Sequence, residues 1–260
     1  MTSAAEDDVS LAHLRRGSGP PLVLLHALGA DHFMWDPVMD RLAAEREVVA
    51  VDMPGFGASP PLADGSPASL ARAVSGFVAA VGLERPHVAG NSLGGWVALE
   101  LARAADAASV TAIAPAGLWA EPLVPKRSTA RAVARRLLPT LPLLLATAAG
   151  RRVALAGSAA HPDRIPPAAA LRLVRSYALA PGFDEANDAM RAGRFTGLDE
   201  ITVPLTFAWP ERDRLVGRPR HLPADARSVT LTGCGHLPTW DDPEQVARVL
   251  LEGSSAQLGL

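Results

Sequence analysis

Short apolar runs alternate with longer helical patterns along most of this chain. Pro21-Leu22-Val23-Leu24-Leu25, Val48-Val49-Ala50-Val51, Pro86-His87-Val88-Ala89, Val110-Thr111-Ala112-Ile113, Pro204 to Trp209 and Ser228 to Thr232 have the length and composition of buried strands. Between them, apolar residues recur at helical spacing. One such segment is Pro37 to Ala44, and another is Gly95 to Arg103. Ser66-Pro67 caps and opens a helix running through Leu70, Val74, Phe77 and Val81. Asp242-Pro243-Glu244-Gln245 supplies an N-cap, a proline at the first helical position and a glutamine at the third, ahead of Val246 to Leu251. Alternation of this kind predicts a mostly parallel sheet with helices on both faces. No repeat of 20 to 50 residues is apparent.

The alternation stops between Pro115 and Gly197. This segment is rich in Ala, Leu and Arg, is punctuated by prolines, and reads as several short helices. Its run Leu137 to Ala149 is apolar, but it holds Pro139 and Pro142 and is too short to span a bilayer. Between Glu121 and Asp163 there is no acidic residue, while Lys126, Arg127, Arg131, Arg135, Arg136, Arg151 and Arg152 are basic. Arg127, Arg131 and Arg135 recur every four residues and are expected along one helix face. We expect a solvated face whose arginine stems cover apolar surface. A basic entrance for anionic substrates or a partner is the alternative.

Chemistry concentrates in Gly90-Asn91-Ser92-Leu93-Gly94, a Gly-x-Ser-x-Gly pattern between a predicted strand and a predicted helix. A serine on so sharp a turn is held in a strained conformation that exposes its hydroxyl. Glycine is needed on both sides because a side chain would collide with the adjacent strand or helix. A serine hydroxyl is a weak nucleophile at neutral pH and needs a base and a group to orient that base. His236 follows the predicted strand Ser228 to Thr232, and Asp213 follows the strand Pro204 to Trp209. Both lie where open α/β sheets place their ligands.

On these motifs, in this order, the chain resembles the α/β-hydrolase superfamily, within it the small enzymes with a helical lid. The resemblance runs from Pro21-Leu22-Val23-Leu24-Leu25-His26-Ala27-Leu28-Gly29 through Asp52-Met53-Pro54-Gly55-Phe56-Gly57 and the serine turn to Gly235-His236 and the closing helix. It implies a doubly wound α/β-hydrolase sheet of residues 1–114 and 198–260, with residues 115–197 inserted as a helical cap over Ser92. It also implies a catalytic Ser92, His236 and Asp213, and an oxyanion hole formed by the backbone N–H groups of Leu28 and Leu93. Ala27 stands where many relatives have glycine. Glu121 is a rival for the acid, because some relatives place it after the strand that follows the serine turn. His26 is expected to brace the oxyanion loop, and Asp52 to belong to a structural turn. Trp119, Tyr177 and Leu237 are candidates to line the pocket.

The activity implied is hydrolysis of a carboxylic ester, with a small, apolar acyl compound as partner. The serine turn also looks like that of C–C hydrolases of ring-fission products, and Leu24 to Gly29 with Met34-Trp35-Asp36 like that of enol-lactone hydrolases. A small-molecule receptor on the same fold is the reading from another class. Superfamily members that open epoxides or remove halogen use aspartate at the position of Ser92, so neither reaction is expected here.

Composition adds limits. At 260 residues, net charge −2 and 48% apolar, the chain is large enough for one α/β domain and carries no basic field for nucleic acid. Met1 to Asp8 is acidic with no apolar export core, and Cys234 is the single cysteine. Both fit a cytoplasmic protein with no internal disulfide and no stable membrane insertion. Cys234 is expected to fill a tight turn. No Cys/His cluster has metal-ligand spacing, and neither a metal nor a cofactor is expected.

Overall fold

The computed structural model describes residues 10–255 apart from Pro125 and Arg127. Arg127 and the acidic stretch Met1 to Asp8 thus lie outside the described residues. Seven strands form one sheet: β1 (His13–Arg16), β2 (Pro21–Leu25), β3 (Glu47–Val51), β4 (His87–Asn91), β5 (Ser109–Ile113), β6 (Leu205–Pro210) and β7 (Arg227–Leu231). Their order is β1-β3-β2-β4-β5-β6-β7. All neighbours are parallel except β1 and β3. The helices are α1 (Asp36–Ala43), α2 (Pro67–Ala80), α3 (Leu93–Arg103), α4 (Thr129–Arg136), α5 (Leu141–Ala146), α6 (Ala148–Ala154), α7 (Pro167–Leu179), α8 (Phe183–Ala192) and α9 (Pro243–Gly253).

Parallel strands covered on both faces are apolar at most positions, because each alternate side chain meets a different helical layer. Val23, Leu25, Val49 and Val51 join Leu70, Val74, Phe77, Val97 and Leu101 of α2 and α3 in one cluster. Leu22, Leu24, Val48 and Ala50 join Val38, Leu42, Val246 and Leu250 of α1 and α9 in the other. The sheet is therefore doubly wound, as the alternation predicts. Ser66 Oγ accepts from Ser69 N–H at 3.3 Å and Asp242 Oδ1 from Gln245 N–H at 2.9 Å, so both expected caps form. Gln245 reaches back to the cap through Nε2, which donates to Asp242 Oδ2 at 3.2 Å, while the Asp242 N–H that a capping box would engage donates to Pro238 O. Gln245 Oε1 accepts from Thr232 N–H at 2.8 Å and ties α9 to the loop after β7.

β1 is absent from the hydrophobic pattern. Its residues His-Leu-Arg-Arg are largely exposed and pair only with β3, so no apolar run marks them.

Between β5 and β6 the chain leaves the sheet for α4 to α8, which carry a core of their own around Leu141, Leu145, Ile165, Ala170 and Leu173. Of the two described members of the expected row of solvated arginines, Arg135 is exposed and Arg131 is buried. α4 starts at Thr129 with Ser128 as N-cap, and Arg131 points inward. Arg131 donates to Tyr177 O (3.2 Å), Ala180 O (2.6 Å) and Asp184 Oδ2 (2.9 Å), and its guanidinium lies 4.8 Å from the Phe183 ring. Arg151 is also buried and donates to Leu145 O, Ala146 O and Asp163 O. Both side chains staple the insertion by satisfying carbonyls left open at helix ends. Leu137 to Ala149 spans the turn after α4, all of α5 and the start of α6. Among the described residues no helix is long and apolar enough to cross a membrane.

Candidate active site

Ser92 sits between β4 and α3 with φ 56° and ψ −114°, a conformation costly for a residue with a side chain. Three backbone hydrogen bonds hold it there. Ser92 N–H donates to Ile113 O at 2.9 Å, and Ser92 O accepts from Trp96 N–H at 3.1 Å and Ala116 N–H at 2.9 Å. The flanking glycines are required by space. A Cβ on Gly90 would strike the carbonyl of Gly94, and one on Gly94 would strike that of Leu25. The close approach of α3 to β2 and β4 thus depends on both residues lacking a side chain.

β2 and β4 are neighbours with Leu25 opposite Gly90, which brings His26, Ala27 and Leu28 beside the serine turn. His26 is fully buried and braces this loop. Its Nε2 accepts from Met53 N–H at 3.0 Å, so the proton resides on Nδ1, which donates to Ala27 O at 2.8 Å. Burial lowers the His26 pKa, which keeps this neutral arrangement in place. Among the described residues, no acceptor takes the N–H of Leu28 or that of Leu93. The N–H of Leu93 lies at the start of α3, where the backbone dipole favours negative charge.

The loops after β6 and β7 are laced together. Glu211 N–H donates to Leu231 O, Arg212 N–H to Cys234 O, and Gly233 N–H to Glu211 Oε2. This lacing places Asp213 against His236, whose Nδ1 donates to Asp213 Oδ2 at 2.7 Å. Asp213 Oδ1 accepts from Leu215 N–H at 2.7 Å and Val216 N–H at 3.2 Å. Burial raises the Asp213 pKa, but the bond from His236, its charge and the two backbone donors outweigh this and leave it below the ordinary carboxylate value. Glu121 is exposed, and the His236 ring pairs with Asp213 instead. Among the described residues no hydrogen bond within 3.5 Å joins the Ser92 hydroxyl to His236. Ser92 and His236 are each only 6% exposed.

Asp52 behaves as a structural residue. It accepts from His32 N–H, His32 Nδ1–H and Ala58 N–H, and leaves no room for a side chain on Gly57. Trp119 Nε1 donates to Gly193 O, and its ring meets Trp96 edge-on at 5.9 Å. The Tyr177 ring occupies the space beside Gly29, and Leu237 packs against the cluster of α1 and α9. Cys234 is fully buried in the same cluster. Burial and the carboxylates of Asp241 and Asp242 push its thiol pKa up to about 12, so it stays protonated and unreactive.

Among the described residues one group, Asp31, His32 and Asp52, has ligand atoms close enough to share a metal ion. Those atoms already have partners. Asp31 accepts from Phe33 N–H and Ser176 Oγ–H, and His32 donates to Asp52. The Arg172 guanidinium lies 3.9 Å from Asp31 and 3.2 Å from His32 Nε2, a poor environment for a cation. The group borders a cavity of about 490 Å³ between α7 and the loops after β2 and β3, and neither Ser92 nor His236 lines it. Sequence reasoning missed Asp241, whose carboxylate accepts three backbone N–H groups next to His236. Its only signal is a second acidic residue beside Asp242, where a helix cap needs one.

A family model described as the alpha/beta hydrolase family matches residues 22–249. The chain belongs to that family. This alpha/beta hydrolase is similar to the epoxide hydrolase EphH of Mycobacterium tuberculosis, 31% identical over 201 residues that cover 71% of this chain and 93% of that protein. It is also similar to the pimeloyl-[acyl-carrier protein] methyl ester esterase of Aeromonas salmonicida, 43% identical over 94 residues, or 36% of each chain. Among solved structures, the enol-lactonase from Burkholderia xenovorans LB400 superposes with a TM-score of 0.73 over 97% of this chain and 99% of that one, at 20% identity. At that identity the likeness is one of fold.

Proposed function

We propose that this alpha/beta hydrolase is a serine hydrolase that cleaves a carboxylic ester, or a closely related acyl compound, through an acyl-enzyme on Ser92. The observation that carries the reading is the pairing of a strained serine turn with a buried His236 whose Nδ1–H is held by Asp213. Ser92 Oγ attacks the acyl carbonyl carbon, and His236 Nε2 takes the hydroxyl proton. Asp213 keeps the productive tautomer and stabilises the imidazolium. The N–H groups of Leu28 and Leu93 receive the developing oxyanion, and each such donor contributes roughly 3 kcal/mol. His236 then protonates the departing alcohol. Water attacks the acyl-enzyme by the same route and releases the acid. In this course the hydrogen bond from Ser92 Oγ–H to His236 Nε2 tightens when substrate is bound, as catalytic hydrogen bonds often do.

Similarity to an epoxide hydrolase favours a different reaction, and the chemistry of position 92 decides against it. Opening an epoxide on a carboxylate yields an ester, which water cleaves at its carbonyl. The same attack by Ser92 would leave an ether with no carbonyl to hydrolyse. Local similarity to a methyl ester esterase supports acyl chemistry instead. Residues 115–197 act in this reading as a cap over the serine, with residues 1–114 and 198–260 as the core. The ring of Tyr177 beside Gly29 of the oxyanion loop favours an apolar acyl group.

The test combines a fluorophosphonate probe with a substrate panel of graded acyl esters, lactones and vinylogous diketones. Rapid labelling and multiple turnovers on esters, both abolished in Ser92→Ala, are expected. Turnover near wild type in a folded Ser92→Ala variant refutes the assignment. Faster turnover of lactones or diketones moves the substrate class. Tight ligand binding without turnover supports the receptor reading.

A further inference from the structure

His236 is held by Asp213 from the loop after β6 and, through its chain neighbours, by the inserted segment. On its C-terminal side, Leu237 N–H donates to Ser158 O at 2.7 Å. On its N-terminal side, Gly235 N–H donates to Asp241 Oδ2 at 2.8 Å. The same Oδ2 accepts from Ala160 N–H at 2.9 Å, and Oδ1 accepts from His161 N–H at 2.8 Å. Ser158, Ala160 and His161 belong to the inserted segment, in the connection that follows α6. The peptide group that follows His236 is therefore tied to the insertion directly, and the Cys234–Gly235 peptide, one step removed on the other side, is tied to it through the Asp241 carboxylate. The contact has no slack, because a Cβ on Gly235 would lie 2.6 Å from Ala160 N.

We propose that Asp241 is a positioning residue that couples the inserted helices to the placement of His236, and hence to proton transfer at Ser92. The inference rests on the reading of Ser92 and His236 as nucleophile and base. All three partners of Asp241 are N–H donors, which an ionised carboxylate accepts on both oxygens by charge-assisted hydrogen bonds. An amide accepts on one oxygen only. In Asp241→Asn the NH2 end must face at least one of these donors, so the insertion loses either its His161 tie or, together with the Gly235 tie of the histidine loop, its Ala160 tie. The imidazole then samples positions from which Nε2 is misplaced by a fraction of an ångström, a displacement that proton transfer tolerates poorly. Substrate binding against the insertion's other contacts is affected much less, so the defect falls on kcat.

The test compares wild type with Asp241→Asn, Asp241→Glu and Asp163→Asn on one ester, with melting temperature recorded for each. Asp241→Asn is expected to lower kcat at least tenfold while KM stays within about threefold, and Asp241→Glu, which keeps a carboxylate, to restore at least a third of wild-type kcat. Asp163→Asn, which removes only the exposed pair with Arg152, is expected to leave both constants unchanged. Amide hydrogen exchange covers the case in which Asp241→Asn folds poorly. In Asp241→Glu and in the folded fraction of Asp241→Asn, protection at Gly235, Ala160 and His161 is expected to change together. A folded Asp241→Asn with kcat within twofold of wild type overturns the proposal, as does a loss of kcat that only follows the loss of folded protein. Parallel Ser92→Ala and His236→Ala variants separate the failures. If they are inactive and Asp241→Asn is normal, the coupling fails alone. If either retains wild-type turnover, the underlying assignment fails.

Discussion

Asp213→Asn is the sharpest probe of the proposed chemistry, because the structure dictates how the new amide will sit. Oδ1 accepts from Leu215 N–H and Val216 N–H, and Oδ2 accepts from His236 Nδ1–H. Asparagine offers one accepting oxygen. Placed on the two backbone donors, that oxygen leaves the NH2 group facing Nδ1, which must then accept. The imidazole proton moves to Nε2, where it blocks transfer from Ser92. The opposite flip restores the productive tautomer but leaves two N–H donors facing an NH2 group. At about 1–3 kcal/mol for each unsatisfied donor, that flip lies roughly 2–6 kcal/mol uphill. The productive population is then on the order of 10⁻² to 10⁻⁴. Loss of the charge that stabilises the imidazolium pushes the effect toward the upper end, as in other serine triads, where it is about 10⁴-fold. The assay is kcat on a short p-nitrophenyl ester, scaled to the folded fraction. A loss smaller than about tenfold refutes the reasoning. A milder effect than that of Glu121→Gln would transfer the role to Glu121.

The remaining predictions concern stability. Ala105 has φ 63° and closes α3, with Asp106 N–H donating to Leu101 O and Ala105 N–H to Ala102 O. That is a Schellman turn with alanine where glycine is unstrained, so Ala105→Gly is expected to stabilise the fold by about 0.5–1 kcal/mol, visible as a rise of roughly 2 °C in melting temperature. An unchanged or lower Tm contradicts this. The hydrogen bond to Asp52 raises the His32 pKa above 6.5, against partial burial and the charge of Arg172. The folded state thus holds this proton more tightly than the unfolded chain does. Its contribution is complete below pH 6.5 and fades as pH rises through the folded-state pKa. The Tm difference between wild type and His32→Gln should be larger at pH 6 than at pH 9, and a gap that is constant across that range would count against the pairing.

Much of the core was legible because single positions carried single physical demands. Ser66-Pro67 and Asp242-Pro243 can open helices almost anywhere and do so here. Gly90 and Gly94 announce a backbone approach that no side chain tolerates. The pairing of Asp213 with His236 followed from their positions after successive strands. Three features were not legible. β1 is polar and one-sided, so periodicity does not reveal it. Arg131 and Arg151 read as surface residues, because spacing cannot show that helix-end carbonyls elsewhere await a donor. Asp241 is marked by nothing but its place beside a cap, since its partners at residues 160 and 161 are about 80 positions away and appear only once the insertion has folded.

The adjacency of β5 and β6 has a consequence for how the molecule is made. Ile113 lies opposite Ala208 in the register, so the whole insertion is one loop of roughly 90 residues between paired strands. Closing it costs about 2 kcal/mol more in chain entropy than closing a ten-residue loop. On a ribosome, β1 to β5 are complete long before β6 emerges, and the growing chain exposes the bare flank of β5 throughout that interval. Yield in the cell should therefore depend more on how quickly α4 to α8 collapse onto their own small core than on any change in the first five strands.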